Sequence, residues 1–178
     1  MNKEKINKSF LALIFTTITI GALTLLTYKT DYGIFLIASF GSSMVLLYGY
    51  PESPFAKPKN IIFGHLITSL IGILFYKYIP LPIYILIPLA VGFGVAFMIL
   101  LDITHPPAGG NPIIVILGSV SFEYLFSPVL TGCLIIIVFG ILLNRFVAQK
   151  KYPWSLTIHL LDVPILCYTL LRNIYREI

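Results

Sequence analysis

The feature that most limits the fold is a series of six long stretches with almost no charged side chains. They cover residues 9–28, 32–51, 60–76, 78–101, 103–122 and 124–144. A helix of about 20 apolar residues crosses the roughly 30 Å hydrocarbon core of a bilayer. Because backbone polar groups find no water there, such stretches must be helical or shielded by protein. The sequence therefore predicts an all-α, polytopic membrane helix bundle.

Charged residues are too few for a water-exposed globule. They make up 11% of the chain, whereas soluble domains carry about 25%. The net charge of +5 is typical of basic residues at cytoplasmic helix ends, so no nucleic-acid partner is predicted. We expect the lipid bilayer as surroundings, in a plasma or inner cell membrane, with both termini in the cytoplasm. The stretch 9–28 is interpreted as a retained first helix and not as a cleaved signal.

The second and fifth stretches differ from the other four, which are plain spans. Each carries small and polar residues first and an apolar run afterwards. In the second stretch, we expect Gly41 to break the helix and Ser42 or Ser43 to cap the helix that follows. In the fifth, Asn111 is expected as the N-cap of a short helix, with Pro112 at its first position.

The length of these two interrupted segments does not decide whether they cross the membrane or form re-entrant loops. A helix over 111–122 measures about 18 Å and cannot span alone. Six crossings place Lys57 and Lys59 on the same face as the N-terminus, whereas four spans place them opposite. The positive-inside rule favours six crossings.

An internal repeat divides the chain into two halves. Residues 64–74 match residues 132–142 at six of eleven positions, with a shift of 68. The match predicts two repeats of the order span, interrupted segment, span. If the interrupted segments cross, the two repeats have inverted topology.

The boundaries predicted from this pattern are a transmembrane domain over 1–152 and a tail over 153–178. The tail alternates apolar and charged residues, which is typical of an interfacial helix. We expect it on the cytoplasmic side, kinked near Pro164. Cys133 and Cys167 are interpreted as packing residues, since no ligand spacing connects them to other cysteines or histidines.

The interrupted segments contain the candidate binding residues. Backbone N–H groups at helix starts attract anions or polar substrates, and transporters often bring two such ends together. His105 is ionisable at membrane depth and would relay a proton, or it lies at the water interface. Close packing of small residues is the alternative for the serines and glycines. The predicted substrate-binding residues are Ser42, Ser43, His105, Gly109, Gly110 and Asn111.

Other chemistry finds no support in the sequence. No nucleophile–base pair or phosphate-binding glycine loop is present, so we expect no catalytic residue and no enzymatic activity. His105 has no second ligand at metal-binding spacing, so neither a metal nor a cofactor is predicted. His65, within the third stretch, is expected to pack or to make an interhelical hydrogen bond.

Four ordered motifs resemble those of the HPP family of integral membrane proteins. They are THPPAGG (104–110), SFGSSMVLLYG (39–49), PESPFAKPKNIIFGH (51–65) and LNR followed by YP (143–145 and 152–153). The resemblance implies a compact membrane domain with four or more spans. Some plastid and cyanobacterial relatives are associated with nitrite transport. Here Gly109-Gly110-Asn111-Pro112 replaces the usual HPPAGA-type continuation, so the substrate can differ.

Residues and resemblance together predict a transporter or channel for a small inorganic anion such as nitrite. Two alternatives remain open: a transporter of another small neutral or cationic solute, and a non-catalytic helical subunit that scaffolds a larger membrane complex. The sequence leaves association into a homo-oligomer open as well.

Overall fold

Four long helices form the frame of the molecule, whose computed structural model describes residues 2–30 and 34–153. They are α1 (Lys3–Lys29), α3 (Pro58–Tyr78), α4 (Ile83–Leu100) and the helical segment Phe122–Val147, which is kinked at Ser127 and contains α6 (Thr131–Ile141). Each is long and apolar enough to cross a membrane. They coincide with the first, third, fourth and sixth stretches, so the predicted polytopic helix bundle is confirmed. The interfacial helix predicted for the tail lies outside the described residues.

The first interrupted segment is irregular earlier than predicted. Residues 34–37 have no regular structure, and α2 (Ala38–Met44) then continues as a π-helical turn, Val45–Gly49. Gly41 lies within α2, so the predicted break at Gly41 is wrong, as is the cap at Ser42 or Ser43. A glycine costs a helix only about 1 kcal/mol, and the buried side chains of this helix pack in the core, which outweighs that cost.

The second interrupted segment is irregular where predicted. A 3₁₀ turn, Pro106–Gly110, leads into α5 (Asn111–Gly118). Gly110 is the N-cap and Asn111 is the first helical residue, so the predicted cap is wrong by one position. The helix ends earlier than the predicted residue 122, because Ser119 adopts a left-handed conformation with φ 50°.

The first interrupted segment runs antiparallel to α1 over nearly its whole length. The amide of Phe35 donates to Oγ1 of Thr27 at 3.0 Å. At the other end, Nζ of Lys8 lies 4.4 Å from the ring centroid of Tyr50. Thr27 and Lys8 are 19 residues apart along α1, which is about 28 Å. This distance matches the thickness of a hydrocarbon core.

The second interrupted segment runs parallel to α3 in the same way. Nδ2 of Asn60 donates to the carbonyl of Thr104 at 2.9 Å, and Nζ of Lys77 lies 4.8 Å from the ring centroid of Phe122. Asn60 and Lys77 are 17 residues apart along α3, or about 26 Å. Both interrupted segments therefore extend from one face of the bundle to the other, which favours six passages over four.

Six passages bring most of the basic side chains of the described chain to one face. The start of α1 lies there next to the turn before α3, since Lys8 contacts Tyr50. The segment after α6 lies at the same face, because the Tyr152 hydroxyl bonds to the carbonyl of Ala56. The basic residues of this face are Lys3, Lys5, Lys8, Lys57, Lys59, Arg145, Lys150 and Lys151. Lys29 and Lys77 lie at the opposite face. We refer to the first as the lysine-rich face.

Two glycines in each half contact the interrupted segment of the other half. A Cβ built on Gly64 would lie 3.2 Å from the carbonyl oxygen of Ile103, and one on Gly132 would lie 2.7 Å from that of Phe35. Gly132 and Ile103 each stand 68 positions after their counterparts, Gly64 and Phe35. These two contacts therefore occupy equivalent places in the proposed repeats.

A second pair of contacts follows the same relation. A Cβ built on Gly72 would lie 3.0 Å from Cβ of Val115, and one on Gly140 would lie 2.7 Å from Cδ1 of Leu47. Residues 72 and 140 again differ by 68, as do residues 47 and 115. At both positions the absence of a side chain permits the approach of the interrupted segment.

Gly72→Ala is expected to destabilise the protein by about 1–2 kcal/mol, because its Cβ would lie 2.9 Å from Cα of Pro112, a backbone atom that cannot move freely. Gly41→Ala is the matched control: nothing lies within 4 Å of its Cβ, so the better helix propensity of alanine should leave stability equal or higher. Thermal unfolding in detergent measures both. Equal losses in the two variants would contradict the close packing of α3 against α5.

Candidate functional site

A cluster of six polar side chains lies inside the bundle, where both interrupted segments meet α3. The members come from α2 (Ser39, Ser43), α3 (His65, Thr68), the start of the 3₁₀ turn (His105) and α5 (Asn111). Ser39 is 6% exposed and the other five are fully buried. Buried polar groups of this kind are expensive in a membrane and are usually functional. We call this group the polar cluster.

Ser43 links the two histidines. Its Oγ lies 2.8 Å from Nε2 of His105 and 3.1 Å from Nε2 of His65. The two imidazole rings meet edge to face, with centroids 5.0 Å apart. Nδ1 of His105 lies 2.8 Å from the carbonyl oxygen of Phe55. Since a carbonyl only accepts, Nδ1 of His105 carries the proton, and its Nε2 accepts from the Ser43 hydroxyl.

Asn111 sets the protonation pattern of His65. Its Nδ2 carries two hydrogens, which are shared among three acceptors: the carbonyl of His65 at 3.2 Å, Oγ1 of Thr68 at 3.1 Å and Nδ1 of His65 at 3.0 Å. Oγ of Ser39 donates to Oδ1 of Asn111 at 2.7 Å. The carbonyl acceptor fixes the orientation of the amide, so Nδ1 of His65 accepts and its Nε2 carries the proton.

These assignments give one continuous chain of donors with every imidazole neutral. Ser39 donates to Asn111, Asn111 to His65, His65 to Ser43, Ser43 to His105, and His105 to the carbonyl of residue 55. Thr68 completes the set by donating to the carbonyl of Gly64 at 2.7 Å. A fully satisfied network is the condition under which polar groups can stay in a low-dielectric interior.

Local sequence explains why these side chains converge. A Cβ on Gly64 would lie 2.9 Å from Cβ of His105, so only a glycine in α3 lets the segment before α5 come this close. Pro106 and Pro107 lack backbone N–H groups, and they keep residues 105–107 out of an α-helix. His105 therefore reaches into the bundle from an extended backbone with φ −134°.

Three of the predicted binding residues lie in the cluster: Ser43, His105 and Asn111. The bond between Ser39 and Asn111 joins the first turn of α2 to the first residue of α5. The starts of the two short helices thus lie together, although α2 begins at Ala38 and not after Gly41 as predicted.

The other three predicted binding residues do not join the cluster. Ser42 is exposed on another face of α2, since adjacent residues point about 100° apart on a helix. Gly109 and Gly110 are partly buried in the 3₁₀ turn, where they position Asn111 without a side chain of their own.

Sequence reasoning assigned no binding role to Ser39, His65 or Thr68. The interhelical hydrogen bonds expected of His65 are present, but they place it at the centre of the cluster. The signal that could have found these residues is spacing: residues 39 and 43 are four apart, and residues 65 and 68 are three apart. Both spacings put two polar side chains on one helix face.

A short turn covers the cluster at the lysine-rich face. The carbonyl of Phe55 accepts from His105, and the next carbonyl, of Ala56, accepts from the Tyr152 hydroxyl at 2.9 Å. Tyr152 is 2% exposed, and burial raises the pKa of its phenol, which therefore stays protonated and donates. Two successive carbonyls of the 3₁₀ turn Pro54–Ala56 thus hold it against the cluster and against the segment after α6.

Tyr152→Phe removes the second of these bonds and keeps the ring. We expect a loss of about 1 kcal/mol in the free energy of unfolding, since the carbonyl of Ala56 loses its buried donor. Chemical denaturation in mild detergent measures the change. Tyr84→Phe, at a ring that is 74% exposed, is the control, and a Tyr152→Phe protein as stable as that control would contradict the bond.

Comparison with known proteins decides the family. Residues 1–153 match the family described as HPP, transmembrane region. The chain belongs to the HPP family. The His-Pro-Pro motif characteristic of the family contributes His105 to the polar cluster. Within the described residues, no group of three or more His, Cys, Asp or Glu side chains is placed to hold a metal ion.

Two curated relatives of this HPP protein come from Dictyostelium discoideum, and both are described as transmembrane proteins. One is 31% identical over 160 residues, which are 84% of this chain and 50% of the relative. The other is 31% identical over 125 residues, which are 66% of this chain and 44% of the relative. The chain thus spans about half the length of the curated relatives it matches. No solved structure matches it.

Proposed function

We propose that this HPP protein is a transporter of a small inorganic anion such as nitrite, and not an enzyme. The observation that carries the proposal is the polar cluster, which both interrupted segments build inside a membrane bundle. Ionisable and amide side chains at this depth are costly and typically line a substrate or proton path. Five of the six members of the cluster are fully buried and Ser39 is 6% exposed, so the cluster is closed off in this structure. This state corresponds to an occluded step of a transport cycle.

Two repeats of inverted topology support the proposal. The four glycine contacts pair up under one shift of 68 residues, and each connects a long helix of one half to the interrupted segment of the other. Many secondary transporters are built from inverted repeats with discontinuous helices at the midplane. In such transporters each repeat can adopt the conformation of the other, and this change opens a central site first to one side of the membrane and then to the other.

The distribution of basic residues supports a location in the cell membrane, with both termini on the cytoplasmic side. The lysine-rich face holds eight basic residues of the described chain, against Lys29 and Lys77 opposite. Under the positive-inside rule the lysine-rich face is cytoplasmic. The turn Pro54–Ala56 then lies between the cytoplasm and the polar cluster.

The cluster suits an anion that travels with a proton. Hydroxyl and amide donors of Ser39, Ser43 and Asn111 can turn to a small oxyanion once the site opens. Addition of a proton to an imidazole supplies the compensating charge, so that the pair crosses without net charge. A neutral solute would not need the histidines, and the six members of the cluster include no carboxylate that would attract a cation.

Uptake by proteoliposomes tests the proposal. We expect nitrite to accumulate in liposomes that contain the protein, faster with an inward proton gradient than without it. Protein-free liposomes give the rate of nitrous acid diffusion, which must be subtracted. The absence of protein-dependent nitrite flux under either condition would reject this substrate, and flux of chloride or formate instead would reassign it.

One observation favours a scaffold as the second candidate. The polar cluster is saturated with hydrogen bonds, which suits a rigid structural contact as well as an occluded site. A scaffold predicts no flux of any solute, together with co-purification of partner subunits from native membranes. Flux by the purified chain alone would exclude a purely structural role.

A further inference from the structure

The hydroxyl of Ser43 has two acceptors within reach. Its Oγ lies 2.8 Å from Nε2 of His105 and 3.2 Å from the carbonyl oxygen of Ser39, one helical turn earlier. A hydroxyl has one hydrogen to donate, and its oxygen can accept two hydrogen bonds. It can therefore donate to only one of the two at a time.

We propose that Nε2 of His105 is a proton-binding site and that the Ser43 hydroxyl is the switch that accommodates the proton. The coupling of this proton to anion transport rests on the proposed function, whereas the binding of the proton to His105 does not. No covalent bond other than N–H forms: a proton adds to the lone pair of Nε2. The O–H bond of Ser43 is kept and only rotates.

Both protonation states of the site have complete hydrogen bonding. In the neutral state, Ser43 donates to Nε2 of His105 and accepts from Nε2–H of His65. In the charged state, Ser43 donates to the carbonyl of Ser39 and accepts from both imidazoles. The added proton thus gains a charge-assisted hydrogen bond, and no buried donor or acceptor loses its partner.

His65 lacks such a second arrangement. A proton added at its Nδ1 would face Nδ2 of Asn111 at 3.0 Å, donor against donor. The amide cannot turn over to offer its oxygen, because Nδ2 also donates to the carbonyl of His65, and Oδ1 accepts from Ser39. Asn111 is therefore a positioning residue, which keeps His65 neutral and directs the proton to His105.

The groups that pack against His105 place no carboxylate in contact with it in the described structure. α3 presents His65, whose ring is the titratable neighbour. α2 presents the neutral hydroxyl of Ser43, and the turn before α3 presents the carbonyl of Phe55. The charged residue of the segment between α4 and α5 is Asp102, which is exposed. Within the described residues, His105 thus has no contacting counter-charge for the proton, which is consistent with an anion as the co-substrate.

Imidazole ¹⁵N spectra of the protein in bilayers test this directly. The chain has three histidines, so His159→Gln leaves the two of the cluster, and their signals are assigned with His65→Gln and His105→Gln. At neutral pH we expect one Nδ1–H imidazole, His105, and one Nε2–H imidazole, His65. On acidification, His105 should become doubly protonated first, while His65 keeps its tautomer. The proposal would be overturned if His65 became doubly protonated before His105, or if neutral His105 carried its proton on Nε2.

Two variants separate the switch from general packing. Ser43→Ala removes the acceptor of the new proton, so the ratio of charged to neutral His105 at a given acidic pH should fall about tenfold. Ser42→Ala, one residue away and exposed, is the matched control and should leave the ratio unchanged. Equal ratios in Ser43→Ala and Ser42→Ala would contradict the role of Ser43.

Asn111→Asp tests the positioning role. An ionised carboxylate only accepts, so Nδ1 of His65 should gain a proton that it lacks in the native protein. A spectrum in which Nδ1 of His65 stays unprotonated would contradict the assignment. These measurements read proton positions and not flux. A protein that binds its proton as described but carries no nitrite would overturn the proposed function and leave this inference standing.

Discussion

Asn111→Ala is expected to lower the free energy of unfolding by about 2–4 kcal/mol, the largest stability loss among the changes considered. The amide oxygen accepts a hydrogen bond from Ser39, and the two hydrogens of the amide nitrogen are shared among three acceptors, one on Thr68 and two on His65. Interhelical hydrogen bonds in membranes contribute about 0.6 kcal/mol each on average. A buried partner that is left unsatisfied costs about 1–3 kcal/mol more, which sets the upper part of the range.

Thermal unfolding in detergent, followed by near-UV circular dichroism, measures this loss. Ser42→Ala is the control, and a change within about 0.5 kcal/mol is expected for this exposed serine. Size-exclusion chromatography of both variants shows whether assembly is kept. If Asn111→Ala unfolds at the same temperature as Ser42→Ala, the amide does not join the interrupted segments as described.

His105→Gln is expected to reduce proton-driven nitrite uptake about 100-fold. The glutamine amide can donate to the carbonyl of Phe55 and accept from Ser43, so it reproduces the bonds of neutral His105. It cannot take up a proton near neutral pH. Loss of a proton-transfer group costs enzymes about 10²–10⁴-fold, and the lower end applies if an anion can still pass uncoupled.

The readout is the initial rate of uptake with and without an inward proton gradient. In the native protein we expect the gradient to accelerate uptake, and in His105→Gln the two rates should be equal. Ser42→Ala should keep the native acceleration. A His105→Gln protein that responds to the gradient like the native one would show that the proton travels elsewhere, and the transport proposal would then lose its proton site.

The two experiments together distinguish transport from scaffolding. In a scaffold, the polar cluster is a structural contact only, so Asn111→Ala would impair assembly and His105→Gln would be nearly silent. In a transporter, His105→Gln leaves folding intact and changes flux. The conservative design of His105→Gln is what makes the comparison decisive, because it keeps the geometry and removes only the basic nitrogen.

The positions of the long helices could be predicted because they follow from local chemistry. An apolar, nearly uncharged run such as 83–100 has no stable place except the hydrocarbon core, whatever the rest of the chain does. The start of α5 next to Pro112 was predicted within one residue for the same reason, since proline restricts its own backbone. His105 was also among the predicted binding residues, and the structure places it in the polar cluster, buried and bonded to Ser43.

The partners themselves were decided only by tertiary structure. Ser42 and Ser43 are chemically identical neighbours in α2, and only the packing of that helix against α3 determines that Ser43 meets the histidines. The expected break at Gly41 failed because burial of one face of α2 outweighs the weak propensity of a single glycine. From the sequence, His65 was interpreted as a packing residue because its partners are distant along the chain: Ser43 is 22 positions away and Asn111 is 46 positions away. Hydropathy thus decided which segments lie in the membrane, whereas the choice of polar groups that satisfy one another depended on contacts distant in sequence.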